Sequence, residues 1–346
     1  MKLEDLGWNA HWDGRFAPFA NALVPGRVRV AYHDQFAVFT AEGERVAVAS
    51  GKLRLAEDWP ATGDWVALSP GGERIEAVLP RRTVFVRRDP GQAMRPQVLA
   101  ANADVAFLVM GLDHDYNQRR LERYLYLAAA SGARPVIVLN KTDVAVQLEE
   151  RCRACERLAP VVALNALTGA GIGGLMAQME PGETAVLLGS SGAGKSTIAN
   201  RLRGFEALRT QPVRAHDSRG RHTTTHRELI LLDLGWLLMD VPGLRELQLW
   251  SSADEVGLGG AFADVMALAT ACRFRDCGHQ LEPGCAVRQA LEAGTIEPGR
   301  WSNYLKLQRE LAHLERTVDP EVRAIHKDRW KAIHKAQRRL YRERDR

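Results

Sequence analysis

Gly189-Ser190-Ser191-Gly192-Ala193-Gly194-Lys195-Ser196-Thr197 follows an apolar run over 184–188 and precedes a helix-compatible segment over 196–202. Strand, glycine loop and helix start are the context that a phosphate-binding loop requires. Gly189, Gly192 and Gly194 let backbone N–H groups turn inward around the α- and β-phosphates at a helix N-terminus. Lys195 then supplies a point charge for the β- and γ-phosphates, and the Ser196 hydroxyl is the expected Mg²⁺ ligand. The stretch implies a nucleoside triphosphate.

Working back from the loop, the pattern is strand–helix alternation. Strands are expected at 105–110, 135–139, 160–164 and 184–188, and helices at 118–130 and 146–158, with a short one from 172. That alternation predicts an α/β doubly wound sheet over 86–250. At the end of the 135–139 strand stands Asn140-Lys141-Thr142-Asp143. An ionised Asp143 only accepts hydrogen bonds, and guanine offers it two donors on one edge, N1–H and the exocyclic amine. Adenine offers neither and would leave the carboxylate desolvated and unpaired, a penalty of about 1–3 kcal/mol or more, so GTP is expected over ATP. Asn140 would hold the loop and reach the base, and the stem of Lys141 would cover the ring. Asn165-Ala166, after the 160–164 strand, fits a second guanine contact through backbone amides.

Downstream, Asp240-Val241-Pro242-Gly243 closes an apolar strand over 236–239. Asp240 is expected to hold Mg²⁺ through water, and the Gly243 amide to sense the γ-phosphate. Residues 219–227, R-G-R-H-T-T-T-H-R, read as a flexible segment able to supply a threonine to Mg²⁺, for which Thr224 is favoured. Leu244 takes the place after Gly243, near which Ras-like GTPases carry a water-orienting glutamine. His222 is the candidate to orient the attacking water instead, ahead of His226, so Lys195, Thr224 and His222 are the expected catalytic groups. The order is unusual. N-K-T-D precedes the phosphate loop, whereas ordinary GTPases have it near the end, so the elements are circularly permuted.

Before this domain, residues 25–85 hold five short β-type runs (27–31, 36–40, 46–49, 64–68 and 74–78), which points to a small barrel of OB-fold type. Residues 1–24 carry Trp8, Trp12, Phe16 and Phe19 without a clear period and read as an arm that packs elsewhere, while 81–96 reads as a basic connector. After a helical stretch at 253–271 come Cys272, Cys277, His279 and Cys285. Three thiolates and an imidazole form a closed tetrahedral set, the pattern of one structural zinc ion in a helical module over 251–322. A disulfide with a spare thiol is the alternative, which a cytoplasmic setting disfavours. Cys152 and Cys155 have no second pair and read as incidental.

The chain has 346 residues, 46% hydrophobic and 26% charged, enough for two or three domains of ordinary globular composition. No apolar run approaches the ~20 residues of a membrane span, and the N-terminus lacks the apolar core of a signal peptide. Of 47 Lys+Arg and 42 Asp+Glu, ten and three fall within 323–346, so the rest of the chain is slightly acidic. The excess of basic charge is therefore a tail suited to a polyanion.

Taken together, G-D-W-V (63–66), A-N-A-D (101–104), N-K-T-D, the phosphate loop, G-R-H-T-T-T-H-R-E-L (220–229), D-V-P-G-L-R-E-L (240–247) and C-R-F-R-D-C-G-H-Q-L-E-P-G-C-A-V (272–287) make the chain resemble the ribosome small-subunit-dependent GTPase A (RsgA, also YjeQ) family from about residue 25 to 300. Asn165 stands where that family usually has serine, and D-V-P-G replaces D-T-P-G. The resemblance implies an OB-fold, a permuted GTPase domain and a zinc module acting in late maturation of the small ribosomal subunit. Its rRNA and other assembly factors would be the partners, and a cytoplasmic monomer, away from membranes, is expected. A GTP-gated rRNA-binding scaffold with incidental hydrolysis is the alternative. An ATP-dependent enzyme is disfavoured by Asp143.

Overall fold

Seven consecutive residues, Val105–Gly111, are buried on both faces, which is how a central strand of a parallel sheet reads in sequence. Around that strand the computed structural model describes residues 1–56, 59–88, 96–204, 227–233, 235–240 and 254–318. Contacts divide it into two units, one over 1–87 and 97–247, the other over 88–96 and 248–346.

The first unit begins with helix α1 (Ala10–Phe16), whose N-terminus is capped by Asn9 accepting from the His11 amide. Strands β1 (Val24–Ala31), β2 (Phe36–Thr40) and β3 (Gly43–Ala49) follow, then helix α2 (Gly51–Ala56), β4 (Trp65–Leu68) and β5 (Arg74–Val78). The pairings run β1–β2–β3–β5–β4 and return to β1, closing the five-stranded OB-type barrel. Val28, Phe36, Val38, Val66, Leu68 and Ile75 fill it. The N-terminal arm packs on this barrel: Trp8 and Trp12 lie 4.8 and 5.9 Å from the Trp65 ring. Beneath them the buried Arg27 donates to the carbonyls of Gly63, Leu6 and Asn102.

Where the sequence reads as a basic connector, the chain forms β6 (Val84–Arg88), paired with β7 (Pro96–Ala101). The arginines that suggested a connector flank a short apolar run whose Phe85 is buried. Next come β8 (Val105–Gly111), α3 (Gln118–Ser131), β9 (Arg134–Asn140), α4 (Leu148–Glu156), β10 (Val161–Leu164), α5 (Ile172–Met176), β11 (Thr184–Gly189), α6 (Lys195–Leu202), β12 (Glu228–Leu231) and β13 (Leu237–Asp240). Local chemistry sets their ends. Asn117 caps α3 by accepting from the Arg120 amide, and Gly132 closes that helix in the left-handed conformation.

The strand order is β10-β9-β8-β11-β13-β12, parallel except for β12. From β8 the chain steps outward through β9 to β10, then returns to β11 on the other side of β8. That reversal makes a crevice at the carboxyl ends of β8 and β11, the place where open α/β sheets bind ligands. Beyond β12 the sheet continues into the barrel, with Val30 of β1 opposite Glu228. Arg29 clasps the junction, bonding Glu228 and, at 2.7 Å, Glu44.

In the second unit, helix α7 (Asp254–Thr270), kinked at Phe262, is followed by α8 (Ala286–Glu292) and α9 (Pro298–Val318). Arg300 ties α9 to α7, bonding both carboxylate oxygens of Asp264 and the Ala261 carbonyl. Among the described residues no helix is long and apolar enough to cross a membrane.

Candidate nucleotide site and metal centre

The expected phosphate loop turns between β11 and α6, in the crevice. Gly194 begins α6 with φ of +99°, and a Cβ there would overlap the side-chain nitrogen of Asn140. Only glycine suits this backbone and this approach. Asn140, 3% exposed, uses both ends of its amide: it donates to the Ala193 carbonyl at 2.8 Å and accepts from the Ala166 amide at 3.0 Å. One side chain thus joins N-K-T-D, the Asn165-Ala166 loop and the phosphate loop. Lys195 donates to the carbonyls of Gly189 and Ser190 at 2.8 and 2.6 Å. Ser191 and Ser196 are exposed, Thr197 is half-buried, and Ser196 faces out from the first turn of α6 where a cation beside the phosphates could reach it.

Within N-K-T-D, Lys141 adopts the left-handed region with φ of +68°, and a single turn of 3₁₀ helix over Thr142–Val144 leaves Asp143 exposed. Asn165 donates to Asp143 Oδ1 at 2.8 Å, while its own Oδ1 accepts from the Leu167 and Thr168 amides. Serine's shorter side chain is thus replaced by an amide that folds its loop and orients the carboxylate together.

Three contributors were not anticipated from sequence. Asp113 pairs with Lys141 at 2.6 Å. Asp115 accepts from the Ser190 hydroxyl at 2.5 Å and pairs with Arg120 at 2.6 Å. From α6, Arg201 donates to the Ala166 carbonyl at 2.9 Å and also to that of Leu167. Their position was the available signal: Asp113 and Asp115 follow β8, at the carboxyl end of the strand next to β11, where ligand-facing loops gather.

Asp240 ends β13, whose register beside β11 pairs Met239 with Val186. His222, Thr224, His226 and Gly243 lie outside the described residues.

In the second unit, the ligand atoms of Cys272, Cys277, His279 and Cys285 all lie within 4.8 Å of one another. Cys272 and Cys285 Sγ are 3.9 Å apart, and His279 Nδ1 is 3.5 Å from each. A zinc tetrahedron with Zn–S of about 2.3 Å and Zn–N of about 2.05 Å has S–S and S–N edges of about 3.8 and 3.6 Å. The edges among Cys272, His279 and Cys285 therefore fit zinc through Nδ1, and the Cys277 sulfur stands within 4.8 Å of all three. Cys285 also caps α8, accepting from the Arg288 amide at 3.4 Å.

The sheet order, with a phosphate loop on β11 preceded in sequence by the N-K-T-D on β9, defines a circularly permuted P-loop GTPase. A family model for RsgA GTPase matches residues 78–250. The chain is 49% identical to the small ribosomal subunit biogenesis GTPase RsgA of Opitutus terrae, over 98% of this chain and 97% of that protein. It is 43% identical to the protein of the same name from Syntrophotalea carbinolica, over 99% of both. Among solved structures, YjeQ from Thermotoga maritima superposes with a TM-score of 0.65 at 28% identity, over 84% of this chain and 98% of that one. YloQ, a circularly permuted GTPase, shares the fold, with a TM-score of 0.61 at 23% identity over 84% of this chain and 95% of that one. The chain belongs to the RsgA GTPase family, and it is a GTP hydrolase.

Proposed function

We propose that this chain binds the small ribosomal subunit, assists its late maturation, and hydrolyses GTP slowly alone and faster on the subunit. The observation that carries this is the end-to-end match to relatives named as small ribosomal subunit biogenesis GTPases. It acts as a cytoplasmic monomer, with rRNA and other assembly factors as neighbours on the subunit.

Asn140, Lys141, Thr142 and Asp143, with Asn165 and Ala166, take the guanine. Gly189 through Thr197 wrap the phosphates, with Lys195 neutralising the charge that develops on them. Ser196, Thr224 and Asp240 hold Mg²⁺, which when bound offsets charge on the β- and γ-phosphates. Gly243 meets the γ-phosphate through its amide. His222 accepts a hydrogen bond from the attacking water and so orients it. Cys272, Cys277, His279 and Cys285 hold one structural zinc ion, to which the edge lengths of the cluster lend support.

GTP turnover measured with and without purified small subunits tests this. The expected outcome is a stimulation of at least about tenfold, since a group supplied in trans commonly adds more than that. Unchanged turnover despite tight, GTP-dependent binding would leave a GTP-gated scaffold.

A further inference from the structure

We propose that Asp113 is a positioning residue for nucleotide binding, holding the Lys141 ammonium so that the lysine stem is already laid where the purine ring rests. This deepens the guanine-binding role proposed above for residues 140–143 and rests on it.

Asp113 stands two residues past β8, the strand between the one that carries N-K-T-D and the one that carries the phosphate loop. Its Oδ2 lies 2.6 Å from Lys141 Nζ. Its Oδ1 accepts from the Asp115 amide at 3.1 Å, closing a turn that fixes the carboxylate. The hydrogen bond from Lys141 holds the Asp113 carboxyl below its usual range, so Asp113 stays a carboxylate across physiological pH. Gly111 leaves the space for it: a Cβ there would come within 2.8 Å of Asp113 Oδ1 and 3.5 Å of Lys141 Cε and Nζ.

A lysine loses the rotamer freedom of a long, flexible side chain when a ligand immobilises it. Pinning its far end beforehand removes part of that cost from the binding step. The pair is partly exposed, with side chains 30% and 19% accessible, so the effect is bounded by what such pairs contribute. The same turn reaches the other half of the site through Asp115 and Ser190. Asp113-His114-Asp115 therefore bears on the base loop with one carboxylate and on the phosphate loop with the next.

The test is a double-mutant cycle on the full chain, with Kd for GDP as the readout. Asp113→Asn keeps the oxygen that caps the Asp115 amide but removes the charge, and Lys141→Met keeps the stem but removes the ammonium. Asp113→Asn is expected to weaken GDP about fivefold, the upper end for a partly exposed pair. In the Lys141→Met background it should change affinity by no more than about twofold, as additivity error allows. An equal loss in both backgrounds means that Asp113 merely supports the turn, and no loss means that the pair is idle; either overturns the proposal. Should the asparagine variant melt early, Asp113→Ser, which also caps the turn, repeats the cycle. Inosine diphosphate, lacking the 2-amino group, separates the two levels of inference. Asp143→Asn should abolish the preference for GDP over inosine diphosphate, and Asp113→Asn should leave it unchanged. A preference that survives Asp143→Asn removes the guanine assignment and the positioning proposal with it. A failed cycle beside a lost preference removes the positioning proposal alone.

Discussion

Asn140 donates to the carbonyl of Ala193, 53 residues further along the chain, at 2.8 Å, and the residue after Ala193 is a glycine because a Cβ there would strike the same amide. The two loops that define a GTPase are thus held by one buried side chain before any ligand arrives. Asn140→Ala would leave the Ala193 carbonyl and the Ala166 amide unpaired. At about 1–3 kcal/mol for such groups, GTP affinity should fall roughly ten- to a hundredfold. Titration with a fluorescent guanine nucleotide checks this, and affinity within twofold of wild type would make the tie dispensable.

Two glycines with positive φ separate backbone strain from steric contact. Gly43, at φ +118°, has open space around a built Cβ, whereas Gly63, at φ +91°, would drive one into the Ala101 carbonyl and the Met239 methyl. Gly43→Ala should cost only the strain of the left-handed region, about 1–2 kcal/mol. Gly63→Ala should cost about 1–3 kcal/mol more, the size of an overpacked core site. Equal melting temperatures for the two variants would contradict the close packing of the G-D-W-V turn.

Metal analysis of the purified protein should find one zinc per chain, and Cys277→Ala should lose it. Residues 272–287 should then exchange their amide hydrogens faster, as a zinc site whose binding energy is folding energy requires. GTP binding should stay within about twofold, because the cluster and the nucleotide loops fall in different units. A zinc-free wild type would refute the metal assignment.

Removing residues 323–346 takes away ten basic and three acidic residues. Binding to rRNA or the small subunit should weaken and its salt dependence should flatten, by about 0.7–0.9 in log–log slope for each phosphate the tail no longer neutralises. An identical slope for the truncated and full chains would make the tail a passive solvated segment.

His222→Ala should lower the subunit-stimulated rate by ~10²-fold or more, the usual contribution of a group acting on the attacking water. GTP affinity should stay near normal. Full stimulated turnover would move water positioning to the ribosome.

Much of this protein is local in sequence. The phosphate loop, N-K-T-D, the five barrel strands and the Cys/His spacing are short motifs or strand periodicities, each set by a few neighbouring residues, and their order alone revealed the permutation. The short strands β6 and β7 are hidden in sequence because flanking arginines and a proline leave apolar runs of only three and four residues. Tertiary structure decided the rest. Asp113 with Lys141, Asp115 with Ser190, Arg201 with Ala166, and β1 with β12 are partners separated by 28, 75, 35 and about 200 residues. No periodicity records such pairs. They exist because a parallel sheet gathers its loops at one end, and because the open edge of β12 offers unpaired backbone groups that the first barrel strand satisfies.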